Sequence, residues 1–137
     1  MREIKFRYWC KLENKMYDKA YIEEHLNLAF MSELLEAAQK RYVFQQFTGL
    51  KVNGDEPLFE GDIVPVTVPL HNGWKQGWEY YKRNAVVEYV AKEMRFMLVA
   101  FVEGQGIQYV PFDKSIRQSY KIIGNIYENP ELLEQVK

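Results

Sequence analysis

Residue types able to do chemistry are few in this chain, and they are scattered. Cys10 is the sole cysteine, and His25 and His71 are the sole histidines. Neither histidine belongs to a His-x-x-x-His pair or lies near a Cys-x-x-Cys, so the usual metal donors do not converge. Cys10, next to Trp9, has no motif around it and reads as a small buried hydrophobe. Glu60 and Asp62 would share one side of an extended segment, as a carboxylate pair needs. With Gly61 between them, a turn closed by the Asp62 carboxylate accounts for them more simply. Gly104-Gln105-Gly106 lacks the later glycine, the lysine and the helix of a phosphate loop. Without a converging titratable set, neither catalysis, nor a metal, nor a cofactor is expected.

The segment Trp74-Lys75-Gln76-Gly77-Trp78-Glu79-Tyr80-Tyr81-Lys82-Arg83 is different, because aromatics and cations interleave in it. Trp74, Trp78, Tyr80, Tyr81, Lys82 and Arg83 are the candidate binding residues. Such side chains can stack on bases beside a basic groove. They can also line a peptide-binding groove or a subunit interface. The simplest account is packing, with Trp74 and Trp78 covering the end of a β domain and Tyr80 and Tyr81 inside a sheet.

Composition narrows the class. The chain has 137 residues, 47% of them apolar and 15% aromatic, with a formal net charge of −1. That is enough for one domain with a proper core, and too apolar for disorder. The even charge balance weighs against non-specific nucleic-acid binding. Charge is nonetheless uneven: +3 over residues 1–20, −5 over 21–69 and +1 over 70–137. Solvated faces explain this, and self-complementary subunits would too. The sequence lacks an apolar run of membrane-spanning length and a signal-peptide run at its start, so no membrane association is expected. A lone cysteine fits a reducing cytoplasm.

The elements that must position these residues are mostly strands. Ile4, Phe6 and Tyr8 alternate with Lys5 and Arg7, which reads as a half-buried strand with the basic side chains outward. Glu13-Asn14-Lys15 is a turn, and Met16-Tyr17 begins a return strand. Leu26, Phe30, Leu34 and Ala37/Ala38 fall at helical spacing within 21–41, Ser32 can cap, and Lys40 and Arg41 suit a helix end. Whether 20–30 is helix or loop stays open. Residues 42–48 return to β-formers. Asn53-Gly54 and Asn72-Gly73 are hairpin signals, and Glu60-Gly61-Asp62 is a further turn. Residues 63–68 read as a strand, with Pro65 marking an edge or a bulge. Strands follow at 85–91, 94–102, 107–112 and 120–127. Asn129-Pro130-Glu131 opens a short terminal helix, with Asn129 as cap, that packs Leu132, Leu133 and Val136. Short strands joined by tight turns indicate a small barrel or sandwich.

Three sets of motifs stand in order along the chain. Residues 1–7 (Met-Arg-Glu-Ile-Lys-Phe-Arg) open it. Gln46-Phe47-Thr48-Gly49-Leu50-Lys51 and Phe59-Glu60-Gly61-Asp62-Ile63-Val64 stand in the middle. Ile123-Gly124-Asn125-Ile126-Tyr127-Glu128-Asn129-Pro130-Glu131-Leu132-Leu133 closes it. Together they resemble the YopX family of proteins encoded by phages and prophages. The resemblance departs at 52–55, where Val-Asn-Gly-Asp replaces the family's Asp-Lys-Asn-Gly, and it does not cover 74–81. It implies a phage or prophage gene and an SH3-like barrel in the carboxy-terminal part, and it supplies no activity. The motif residues Gly49, Gly61, Asp62, Gly124, Asn125, Asn129 and Pro130 are explained by turns and close backbone approach.

The expected fold is therefore mainly β (α+β). Residues 1–47 form an N-terminal strand or hairpin and a helix. Residues 48–137 form a small, partly open SH3-like β-barrel with a short C-terminal helix, the two making one unit. The expected role is a non-catalytic interaction module in a bacterial cytoplasm, with an unidentified protein or further copies of itself as partner. The alternative is nucleic-acid binding through Trp74–Arg83, which the net charge disfavours.

Overall fold

β-branched and aromatic runs separated by glycine turns build nine strands in the computed structural model, which describes residues 6–11, 13–18, 42–72 and 77–133. They are β1 (Phe6–Cys10), β2 (Lys15–Asp18), β3 (Tyr42–Val52), β4 (Glu56–Phe59), β5 (Asp62–Asn72), β6 (Gly77–Val90), β7 (Arg95–Val102), β8 (Gly106–Val110) and β9 (Gly124–Asn125). A four-stranded sheet runs β2-β1-β3-β4 and a five-stranded sheet runs β8-β7-β6-β5-β9. All the pairings are antiparallel.

The turns follow local chemistry. Asn53 and Gly54 both take positive φ, at 45° and 93°, as an Asn-Gly hairpin turn demands. Val52 pairs with Glu56, so the loop holds one residue more than the two-residue turn. Gly49, at φ 88°, lies where the β3–β4 register shifts between Phe47 and Lys51, which is a bulge only glycine enters cheaply.

The main core joins the two sheets. Val52 and Leu58 of the β3–β4 hairpin pack with Val64, Val68, Ala85, Val87, Leu98, Val102 and Tyr120. Each fully buried aliphatic side chain contributes about 1.5–3 kcal/mol. Elsewhere Phe47 packs on Phe59 with ring centroids 5.7 Å apart, and the buried Trp9 stacks on Tyr127 at 5.6 Å. Cys10 is fully buried, as its setting in the sequence implied.

The architecture departs from the expected one. The expected partly open SH3-like barrel is not formed: β8 and β9 stand at opposite edges of the five-stranded sheet, do not pair, and close no barrel. The molecule is instead two antiparallel sheets, and no helix of seven or more residues occurs among the described residues. The helix expected within 21–41 lies outside the described residues. Of the expected C-terminal helix, the described residues Pro130–Leu133 form a 3₁₀ turn with no buried residue, and Val136 lies outside the described residues. Asn129 begins this turn, its C=O accepting the Leu132 N–H at 3.1 Å, and its Oδ1 accepts the Asn125 N–H at 3.3 Å. The expected strand 120–127 shrinks to Gly124–Asn125, because Asn125 turns the chain: its Oδ1 accepts from the N–H groups of Tyr127 at 3.0 Å and Glu128 at 2.9 Å.

One correction is a matter of register. Alternation in β1 was expected to keep Arg7 outward, but Arg7 points inward. Its Nη2 donates to Asp62 Oδ1 at 2.6 Å, its Nε donates to Gln45 Oε1 at 2.5 Å, and its guanidinium lies 4.8 Å from the Phe59 ring centroid. The charge is tolerated inside because a carboxylate, an amide and an aromatic face receive it.

Candidate functional site

The candidate binding segment lies on an arm of two strands. β5 and β6 pair in unbroken register from Ile63↔Val86 to Asn72↔Gly77. β9 pairs with β5 only at Asp62 and Ile63, and β7 pairs with β6 only from Val86 to Val90. Among the described strands, residues 66–72 and 77–83 therefore have only each other as ladder partners. Trp74 lies outside the described residues.

Strand alternation divides the remaining five residues between two faces. One face carries Trp78, Tyr80 and Lys82 opposite His71, Pro69 and Thr67. Trp78 is 58% exposed and Tyr80 68% exposed. His71 meets the Trp78 ring edge-on at 5.2 Å. Among the described residues, Trp78 and Tyr80 are not packed into a core as the packing account expected, and both rings are mostly exposed.

The other face carries Glu79, Tyr81 and Arg83. Tyr81 is half-buried and packs against the main core. Its hydroxyl donates to Glu79 Oε2 at 2.5 Å, and that bond pushes the Tyr81 phenol above its ordinary value. Arg83 Nη2 pairs with Glu103 Oε2 at 2.7 Å, and its guanidinium lies 5.5 Å from the Tyr81 ring centroid. Arg83 is thus engaged within the fold, and among the described residues of the segment Lys82 shares a face with the exposed rings. An open groove of about 610 Å³ runs along the arm's base, bounded by Pro65, Thr67 and Lys82 on one side and Val110, Ile116 and Tyr120 on the other.

The structural motif residues converge elsewhere, at the joint between the sheets. Asp62, 1% exposed, receives Arg7 on Oδ1 and the Phe59 N–H on Oδ2 at 2.8 Å, closing the turn as its sequence position implied. Burial pushes its carboxyl above the ordinary value, against the downward pull of Arg7 and of the Phe59 N–H. Glu60 Oε1 accepts the Gln46 N–H at 2.9 Å. The Asp62 carboxylate is thus engaged in its turn and with Arg7, and the Glu60 carboxylate with the β3 backbone. Gly61 takes φ 87° and sits against the Gln45 side chain. A side chain at Gly124 would meet Asn129 Oδ1 at 2.5 Å, so Gly124 is needed for close approach. Burial, with Glu60 nearby, raises the Tyr127 phenol above its ordinary value. Among the described residues no three His, Cys, Asp or Glu converge on a common point, and no helix is long and apolar enough to cross a membrane.

The sequence reading missed Arg7 and Gln45 at this joint. Long-range pairing of β1 with β3 brings them together, and no local motif signals it. The division of Trp78–Arg83 was signalled by the period of two, once the segment is taken as a strand.

Comparison with solved structures finds similarity to protein EF1440 from Enterococcus faecalis, known from a crystal structure. It is 21% identical with a TM-score of 0.45, over 97% of this chain and 99% of that one. Comparison with curated proteins gives no match. The family model described as YopX protein matches residues 5–134, nearly the whole length, and the chain belongs to the YopX family.

Proposed function

We propose that this YopX-family chain is a non-catalytic interaction module of phage or prophage origin. It works in the host cytoplasm and engages a protein partner, or copies of itself, through the outward face of the β5–β6 arm. One observation carries the reading: Trp78 and Tyr80 stand side by side on that face, 58% and 68% exposed, beside Lys82. Aromatic rings left largely exposed in the monomer can gain burial energy in a complex, and Trp and Tyr are enriched among interface hot spots. The motif residues shared with the family are engaged in turns and in the joint between the sheets, which supports a structural account of them.

Affinity capture from host extract tests the reading, comparing the wild-type chain with the Trp78→Ala/Tyr80→Ala double variant. The wild type should retain partners that the double variant loses. Equal retention by both would overturn the role of this face.

Nucleic-acid binding is the second reading, favoured by Lys82 sharing a face with two exposed rings. The Arg83–Glu103 pair and the net charge of −1 weigh against it. Quenching of tryptophan fluorescence by a single-stranded oligonucleotide, weakening with salt, would support this reading. No quenching at low salt removes it.

A further inference from the structure

The two outer edges of the arm are not equivalent, and prolines make the difference. Ile63 O accepts from Ile123 N, so the odd-numbered residues of β5 turn their backbone polar groups away from β6. Pro65 and Pro69 have that parity and are paired with Asn84 and Tyr80. The β5 edge therefore lacks donors at 65 and 69, the usual protection against strand addition. In an antiparallel ladder, the residues opposite such positions also point outward. The β6 edge thus presents the N–H and C=O groups of Trp78, Tyr80 and Lys82, with no proline among them. β7 pairs only from Val86 onward, so among the described strands nothing pairs with this stretch.

The geometry points to a second copy of this chain as the occupant of the β6 edge, paired antiparallel about a twofold axis at Tyr80. This deepens the reading of the arm as an interaction surface and rests on it. Charge weighs against one neighbouring register, and the Arg83–Glu103 pair within each chain leaves Arg83 engaged there. Centring on Glu79 would set two carboxylates face to face, which is unfavourable. Centring on Tyr80 places Trp78 against Lys82 of the partner subunit, a cation over an indole, twice by symmetry. Tyr80 then meets its own copy. On the opposite face Glu79 stands across from the partner's Tyr81, the same kind of hydroxyl it already accepts within its strand. The pairing is isologous and self-limiting, because one β6 edge uses up the other.

Light scattering across concentration tests this with three chains. The wild-type mass should rise from 16.4 kDa toward twice that value. Lys82→Pro removes an edge donor but no β5–β6 bond, and should remain at monomer mass with an unchanged circular dichroism spectrum. Thr67→Pro, on the edge that already has two prolines, should associate like the wild type. Mild oxidation of Tyr80→Cys should give a covalent dimer, since the native Cys10 is fully buried. A wild type that stays at monomer mass throughout overturns the proposal, as does a folded Lys82→Pro that associates normally. Either result leaves the capture experiment with Trp78→Ala/Tyr80→Ala to decide separately whether the face binds other proteins.

Discussion

Asp62 is a buried charged residue held by Arg7 and the Phe59 N–H. Its carboxyl is raised above 3.8 by burial, so the folded state holds the proton more tightly than the unfolded chain does. Deprotonation then costs the folded state, and the contribution of Asp62 to stability falls as pH rises from 3.8 through the folded value. Arg7 limits that cost. Replacing Arg7 by Met leaves a buried carboxylate unpaired and should destabilise by about 3–5 kcal/mol at neutral pH. Without the guanidinium the carboxyl moves further up, so the penalty should shrink on acidification as Asp62 takes its proton. Denaturant melts of both chains at pH 7 and pH 4 check this, and a penalty equal at both would contradict it. Gly61→Ala is a second case. It forces a side chain into φ 87° and against Gln45, and should cost more than the ~1 kcal/mol typical of a point change. Gly104→Ala keeps a comparable φ of 81° with open space around it, so it should cost less, the difference reporting the Gln45 contact alone.

Among the elements, the β5–β6 arm separates stability from recognition. Trp78→Ala and Tyr80→Ala remove exposed rings, so each should change unfolding free energy by no more than about 1 kcal/mol, the span of strand propensity. Tyr81→Ala, one residue on, removes a ring packed on the core and should cost about 3–5 kcal/mol if it behaves as a core aromatic, less to the extent that it is half exposed. Thermal melts of the three variants would show the alternation directly. Similar losses at all three positions would mean that the arm's two faces are equivalent. The Asn125 turn offers another element-scale test. Asn125→Ala frees the Tyr127 and Glu128 N–H groups and should destabilise by about 1–3 kcal/mol.

At the scale of the whole molecule, Arg7 of β1 and Asp62 at the start of β5 link the two sheets by a charged contact. In Arg7→Met, amides of β1 and β2 should lose hydrogen-exchange protection before those of β5–β7, whereas in the wild type they should be protected together. The turns and most strands were legible from local chemistry. Gly49, Asn53-Gly54, Gly61 and Asp62 behave as their residue types require, because positive φ and side-chain-to-turn bonds are decided within a few residues. Family membership was legible for the same reason, since its motifs are turn motifs. What failed were inferences about faces and closure. Arg7 points inward because β1 pairs with β3, which supplies Gln45 across the strand, and because the β4–β5 turn supplies Asp62. The strands form two sheets and not a barrel, because β8 and β9 lie at opposite edges of the five-stranded sheet. The aromatic segment looked like one patch in the sequence, and pairing with β5 made it two faces with different work. The sequence by itself determined where the chain turns and which runs become strands. Only the tertiary structure decided which side of each strand meets solvent, because that depends on partners far away in the chain.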